Sequence, residues 1–391
     1  MNYDFDEEID RRAVPALKWH PMVLGENASG LFPGSVADMD FKAPPAVRAA
    51  MQARLDHGIF GYEAVPEGLL PALSGWLSGR HGWDVTPNQI LRAPNVLNSM
   101  AMAINTFSTA GDKLIVQPPV FFDFYDIAAE NHREILANPL IRQDGHYRMD
   151  FDDLAIKAAD PKATILLLCN PHNPVGRVWT REELVQLGDI CAENGVLVIS
   201  DEIHGGLSFR GHPYTPFASL GKRYADNSLT SLSPAKIFNI ASCGGAFTVV
   251  PEEVKRTALN AANSALTVNK NNAFASVAME AAYRDGGPWL DAVMDYIEDN
   301  AQLVIEALAP TVVKVSPSEG MFLMWLDFRA LGLEPDALHA FLREKANIQM
   351  TRGIAFGEQG RGFARLNIAT PRARLRAAMA QLVKALAASW S

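Results

Sequence analysis

The chain reads as an α/β protein with a mainly parallel central sheet, helices on both faces, and a smaller α+β domain at the C-terminal end. Three observations predict this. Short apolar runs alternate with helical segments through the middle of the chain. Two of those runs, TILLLC (164–169) and VLVIS (196–200), are uninterrupted rather than alternating, as strands covered on both faces require. The last hundred residues then lose the strand–helix–strand order that favours a parallel sheet.

Taken in order, the first 40 or so residues look irregular and are expected to pack on the smaller domain or on a partner chain. KLIVQ (113–117) is the first strand singled out, and TILLLC the second. Residues 180–194 form a helix, because Leu184, Leu187, Ile190 and Cys191 fall on one face. Thr180 and Glu183 make a capping box at its start, and Gly195 ends it. VLVIS comes next as a strand, then 228–232 and 243–250. Beyond these come a long helix at 291–308, a strand-like run at 320–328, a helix at 335–346 and a basic helix from about 371. The expected division is a large ligand-binding domain at 45–285 and a small domain made of 1–44 and 286–391.

A length of 391 residues suits two domains, and a hydrophobic share of 48% supplies a large core. The net charge of −9 argues against nucleic acid as a partner, since phosphate backbones want a positive surface. No apolar run approaches the ~18 residues of a membrane span. The acidic N-terminus lacks the basic start and apolar centre of a secretory signal. A soluble cytoplasmic protein is therefore expected, with no membrane partner. Cys169, Cys191 and Cys243 make no CxxC and no metal spacing, so they read as thiols in a reducing compartment, and no metal is expected.

Open parallel sheets bind ligands at the carboxyl ends of their strands. NPHNPVG (170–176) comes straight after TILLLC, DEIH (201–204) after VLVIS, and SPAK (233–236) after the strand at 228–232. Three successive strands thus deliver an amide, a carboxylate and an amine to one rim. Pyridoxal phosphate needs those groups. Its ring nitrogen stays protonated beside a carboxylate, for which Asp201 is the candidate. Its phenolic oxygen takes a donor, Asn173, and its aldehyde takes a lysine as a Schiff base, Lys236. Its phosphate wants hydroxyls and backbone N–H groups at a helix start. Ser233 can offer a hydroxyl, and the turn of Asn95, Val96 and Leu97 before the helical run 98–107 can offer amides. Singly, each residue has a plainer reading as a surface charge, a cap or a turn. Their order, each at a strand end, is what argues for a site.

These residues resemble fold-type I pyridoxal-phosphate enzymes of the class I/II aminotransferase group, over nearly the whole chain. The resemblance rests on NPHNPVG, on the Asp ending the next strand and on S-x-x-K, with spacings of 28 and 35 residues from Asn173 to Asp201 to Lys236. It implies the roles just given to Asn173, Asp201 and Lys236. It also implies that Arg365, in RLNIATPR (365–372), clamps the substrate carboxylate, with Asp201, Lys236 and Arg365 catalytic. Longer strings are similar to the MalY/PatB branch of cystathionine β-lyases and related cysteine-S-conjugate β-lyases: VADMDF (36–41), HGIFGY (57–62), QPPV (117–120), NPHNPVGR (170–177), SDEIH (200–204) and Phe238-Asn239. By that resemblance Tyr62 reaches the cofactor phosphate and substrate of a neighbouring subunit, which implies a homodimer with shared active sites. His204 lies near the cofactor and Phe121 stacks on its ring.

The sequence also departs from that branch. Phe121 stands where a Tyr usually stacks, which keeps the stacking and loses a hydroxyl. Asn95 stands where Gly usually opens the phosphate turn and tolerates positive φ less freely. Ser35 replaces the usual Trp before VADMDF, which implies a wider substrate entrance. Gly244 lies where many aminotransferases carry a phosphate-binding Arg, a lack shared with the lyase branch.

Other signals carry less. Gly357, Gly360 and Gly362 lack a strand-to-helix context and read as a flexible loop near Arg365 rather than a dinucleotide site. His172 and His204 lack a third metal ligand at useful spacing. Arg372, Arg374 and Arg376 read as a solvated helix face, and Glu280 to Tyr283 as ordinary helix. The expected activity is cleavage of L-cystathionine or a related cysteine S-conjugate to pyruvate, ammonia and a thiol. A class I/II aminotransferase is the alternative, since both routes use the same residues. Regulation through protein–protein binding is the reading of another class, and nothing here adds a DNA-binding domain.

Overall fold

The structure is a computed structural model that describes residues 3–25, 28, 30–268 and 270–389. Fourteen strands are named in chain order: β1 Phe32–Gly34, β2 Ile90–Ala93, β3 Lys113–Val116, β4 Glu134–Ala137, β5 Ile141–Gln143, β6 His146–Arg148, β7 Ala163–Cys169, β8 Leu197–Asp201, β9 Ser228–Leu232, β10 Ala246–Val249, β11 Lys314–Val315, β12 Leu323–Asp327, β13 Ile348–Arg352 and β14 Phe363–Asn367. Seven of them form one sheet in the order β2-β10-β9-β8-β7-β3-β4. β9, β8, β7, β3 and β4 pair in parallel, and β10 alone runs antiparallel to its neighbours β9 and β2. The sheet is therefore the mainly parallel one that the apolar runs predict.

Alternate residues of β7 enter opposite cores, which explains its uninterrupted apolar run. Ile165, Leu167 and Cys169 pack with Met100, Ile104 and Phe124, from the helices Val96–Phe107 and Asp123–Glu130. Leu166 and Leu168 pack on the other side with Leu154, Leu184 and Leu187, from the helices Phe151–Ala158 and Arg181–Glu193. The capping box forms as expected: the Glu183 amide donates to Thr180 Oγ1 at 3.2 Å, and the Thr180 amide donates to Glu183 Oε2 at 2.9 Å. Gly195, at φ +69°, turns the chain out of the helix.

The second sheet has the order β1-β13-β14-β12-β11. β1 recruits the N-terminal segment, pairing in parallel with β13 through Phe32 and Ile348. The irregular start of the chain thus packs on the sheet formed by the last hundred residues.

Several elements differ from expectation. The strand expected over 243–250 begins only at Ala246, because Gly244 and Gly245 take φ of +71° and +95°, which no extended strand allows. The long helix starts at Gly287 rather than 291, with Pro288 in its first turn, where a missing N–H costs nothing. The arginines of the C-terminal helix Arg372–Ser389 are not uniformly solvated. Arg372 lies over the Tyr296 ring and pairs with Asp299, and Arg374 lies over Trp19, 3.8 Å from Asp40, while Arg376 is exposed. Among the described residues, no helix is long and apolar enough to cross a membrane.

Candidate active site

The parallel strands β7, β8 and β9 end level with one another, Cys169 opposite Asp201 and Asp201 opposite Ser231. The segments after them all leave from the same rim. A cavity of about 450 Å³ opens there, of a size that takes a cofactor with a small substrate. Asn173, Asp201, His204, Lys236 and Arg365 all line it, with Val96, Leu97 and Phe121. Residues 192 positions apart meet directly: Arg365 Nη1 donates to Asn173 Oδ1 at 2.9 Å.

Lys236 sits on the one-turn helix Pro234–Ile237, straight after β9, and its Nζ donates to the Ala37 carbonyl at 2.6 Å. Its pKa lies below the ordinary lysine value, because burial penalises the charge and the Arg365 guanidinium repels it. Asp38, Asp201 and Asp123 only partly offset this. Asp201, 4% exposed, accepts from the Ile203 amide at 3.0 Å. Burial raises its pKa to about 6 against the pull of that amide and of Lys236. Arg365 comes from β14, is 3% exposed, and burial depresses its pKa to about 9. Its Nη2 donates to the Ser35 carbonyl and to Thr351 Oγ1, at 3.1 and 3.2 Å. His204 is buried against the Phe322 ring, and burial, Lys236 and Arg365 together hold it neutral.

The donor set fits pyridoxal phosphate. Arg365 Nε and His204 Nδ1 are buried at the cavity without a hydrogen-bond partner, and a buried guanidinium with a depressed pKa calls for an anion. Asn173 spends its amide oxygen on Arg365, which leaves its NH₂ group to donate. Val96 and Leu97 open the helix Val96–Phe107, so their amides have no intrahelical partner. Phe121 supplies an aromatic face.

Several sequence expectations change. Asn95 is extended, at φ −161°, so the residue that stands for glycine meets no left-handed strain. It caps the helix instead, its Oδ1 accepting from the Asn98 amide at 2.8 Å. The helix consequently starts at Val96, not 98. Ser233 is not on the cavity wall. Its hydroxyl donates to the Gly245 carbonyl at 2.8 Å and accepts from the Ala235 amide at 3.1 Å, which caps its own helix and ties it to the neighbouring strand. Tyr62 is fully exposed and does not line this chain's cavity. His172 is buried behind the rim, with Nε2 2.9 Å from the Pro119 carbonyl and its ring edge-on to Trp179. The glycines near 360 fold into two 3-10 turns, Gly353–Phe356 and Glu358–Gly360, where the backbones of Gly353 and Gly360 approach too closely for any Cβ.

Sequence reasoning missed Leu17, Asp123, Ile203 and Thr351, which also line the cavity. Asp123 lies two residues after Phe121 and could have been flagged. Thr351 could not, because it reaches Arg365 only through the antiparallel register of β13 and β14.

This fold and this rim of side chains define the architecture of fold-type I pyridoxal-phosphate enzymes. The chain belongs to the aminotransferase class I and II family, whose model matches residues 34–382. It is 42% identical to cystathionine β-lyase PatB of Bacillus subtilis, over 98% of this chain and 100% of that protein. It is 31% identical to protein MalY of Escherichia coli, over 99% of each. Cystalysin from Treponema denticola, whose crystal structure contains pyridoxal 5'-phosphate, superposes with a TM-score of 0.95 at 32% identity, covering 99% of this chain and 100% of that one.

Proposed function

We propose that this chain is a pyridoxal-phosphate-dependent carbon–sulfur β-lyase. It cleaves L-cystathionine or a related cysteine S-conjugate to pyruvate, ammonia and a thiol. One observation carries the reading: Lys236, Asp201, Asn173 and Arg365 converge on one cavity, in a chain 42% identical along nearly its whole length to a cystathionine β-lyase.

Bound there, pyridoxal phosphate supplies an electron sink that acidifies the Cα–H bond of the amino acid joined to it. The protein supplies the rest. Arg365 receives the substrate carboxylate, an anion that relieves a buried cation. Lys236 would anchor the cofactor, and its amine is the group that would take the Cα proton as general base. Its depressed pKa favours the neutral amine, the only form able to accept that proton. With the cofactor bound, Asp201 would hold a proton on the ring nitrogen and Asn173 would donate to the phenolic oxygen. The Val96 and Leu97 amides would take the phosphate, Phe121 would offer its face to the ring, and His204 is a neutral group on the same wall. The sulfur substituent would leave Cβ as a thiolate that takes up the proton removed from Cα, and water would hydrolyse the released aminoacrylate to pyruvate and ammonia.

Purified protein incubated with cystathionine should release pyruvate and thiol without any keto acid. Keto-acid-dependent product alone would overturn the lyase reading in favour of an aminotransferase. Lys236→Ala should abolish both turnover and the bound cofactor's visible absorption.

The same reading takes the enzyme as a cytoplasmic homodimer with a large cofactor-binding domain at 45–285 and a small domain of 1–44 with 286–391. The seven-stranded sheet draws only on residues 90–249, and the five-stranded sheet on 32–34 and 314–367, which supports that division. Three free cysteines suit a reducing compartment. Tyr62 stands clear of its own cavity next to the exposed Ile59 and Phe60, as a residue offered to a second copy would. Mixing Tyr62→Ala with Lys236→Ala subunits tests it. Shared sites regenerate one intact site per hybrid dimer, or about a quarter of wild-type activity after full exchange. No recovery overturns the shared site.

A further inference from the structure

The segment 35–41 has few regular backbone partners beyond β1, yet its carbonyls are taken almost in succession by side chains. Ser35 O accepts from Arg365 Nη2 and from Thr351 Oγ1, the latter at 2.9 Å. Val36 O accepts from Asn367 Nδ2 at 2.6 Å, and Asp38 O from the same amide at 2.7 Å. Ala37 O, between them, accepts from Lys236 Nζ. Met39 O and Phe41 O accept from Asn239 Nδ2 at 2.9 and 2.8 Å, and the Met39 amide donates back to Asn239 Oδ1 at 3.0 Å.

Two asparagines therefore clamp one strip of backbone from two sides. Asn239 lies three residues after Lys236, in a left-handed conformation at φ +54° that Asn tolerates better than most residues. Asn367 lies two residues after Arg365, so on a strand both side chains point to the same face. Asn367 Oδ1 is itself fixed by the Ala369 amide at 2.8 Å, which leaves both of its N–H groups for the segment. Asn367 lies on the strand that carries Arg365, Asn239 lies just past the one-turn helix that carries Lys236, and in the cofactor-free chain the strip between them contacts both the Lys236 amine and the Arg365 guanidinium.

We propose that Asn239 and Asn367 are positioning residues that set the placement of the Lys236 amine relative to the Arg365 guanidinium, using segment 35–41 as a shared carrier. The proposal rests on the roles given above to Lys236 and Arg365. Its consequence is crossed: a lesion in the clamp beside one cation disturbs the function of the other. Asn367→Ala removes both donors on the Arg365 side and also the acceptor of the Ala369 amide, whereas Asn367→Ser keeps a hydroxyl at the site. Asn239→Gly keeps the left-handed conformation and removes the side-chain clamp without adding a charge beside Lys236. Asn367→Ser and Asn239→Ser are milder forms for use if either variant fails to fold.

The test uses the cofactor-loaded enzyme and two readouts besides turnover. The induced circular dichroism of the bound cofactor reports its orientation on Lys236. The dissociation constant of a simple carboxylate, propionate, reports Arg365. Asn367→Ala should change the cofactor dichroism although it lies beside Arg365. Asn239→Gly should weaken propionate by about tenfold although it lies beside Lys236, as expected for hydrogen bonds worth about 1 kcal/mol each. If each variant alters only the readout of its own neighbour, or neither readout moves, the shared carrier is refuted. Lys236→Ala and Arg365→Lys separate the premises from the proposal. Should Lys236→Ala keep the cofactor dichroism, or Arg365→Lys keep propionate affinity, the assigned roles fail and the coupling falls with them.

Discussion

Asp201 shows burial and chemistry opposed in one side chain. It is buried at a strand end, and burial lifts its pKa from 3.8 to about 6. An acid whose folded pKa exceeds its unfolded one holds its proton more tightly when folded. Its contribution to stability is therefore lost as pH rises from about 4 to about 6. Asp201→Asn removes that loss. In cofactor-free protein the variant should gain about 1–3 kcal/mol over wild type above pH 6. Below pH 4, where both chains are uncharged at this position, the gain should vanish. Urea unfolding at pH 4 and pH 7.5 measures it, and an equal difference at both would show that the carboxylate is not strained by burial. The same variant should lose lyase activity, since an amide cannot hold the ring-nitrogen proton. The site is thus built at a cost in stability that a bound cation on the cofactor ring would offset.

At the scale of elements, the rim is made by strands that stop together, and the segment after each strand is fixed by local capping. Asn95 caps the helix whose first amides face the cavity, and Ser233 caps the turn that carries Lys236. The helix Arg181–Glu193 lies on the far side of the sheet, and its capping box also binds the site's scaffold: Glu183 Oε2 accepts from Arg177 Nη2 at 2.8 Å. Thr180→Ala should cost about 1 kcal/mol, seen as a lower denaturant midpoint at unchanged slope, with turnover intact. Glu183→Ala should cost more, because besides the cap it removes one of the two carboxylates paired with the buried Arg177, leaving Glu319 alone. Equal costs would mean that the Arg177 pair contributes nothing.

Across the whole molecule, the N-terminal segment is tied to the C-terminal helix through one carboxylate. Asp40, 3% exposed, lies 3.1 Å from Lys18 Nζ, 2.8 Å from Arg11 Nη1 and 3.8 Å from Arg374 Nη1. Burial alone would raise its pKa, but Lys18 and Arg11 outweigh it and hold the pKa below the usual value. A depressed carboxylate adds stability above its unfolded pKa and loses it as pH falls through the folded one. Lys18→Met should therefore destabilise the protein by about 2–4 kcal/mol near neutrality. It should also move acid unfolding to higher pH, as measured by circular dichroism. An unchanged acid midpoint would show that Lys18 does not hold Asp40 charged. The pairs act near the cavity because Leu17 lines its wall and Lys18 Nζ donates to the Asp38 carbonyl at 3.2 Å.

The amino-acid sequence by itself determined five of the seven strands of the large sheet, its parallel core and the candidates at its rim, while the short, only partly buried β2 and β4 carried no such signal. Strand burial on two faces writes an uninterrupted apolar run, and a ligand rim writes polar residues straight after each strand, so β7, β8 and β9 with Asn173, Asp201 and Lys236 were all legible locally. Only the tertiary structure decided which candidates share a cavity. Ser233 lies just behind the wall, its hydroxyl bonded to Gly245 and Ala235. Asn95 proved a cap, not a strained stand-in for glycine. Thr351, Asp123 and Leu17 entered the wall through strand register and chain crossings that leave no periodic trace. The physical reason is range: periodicity and capping act within a few residues, whereas the contact of Arg365 with Asn173 spans 192 and exists only once both sheets have packed.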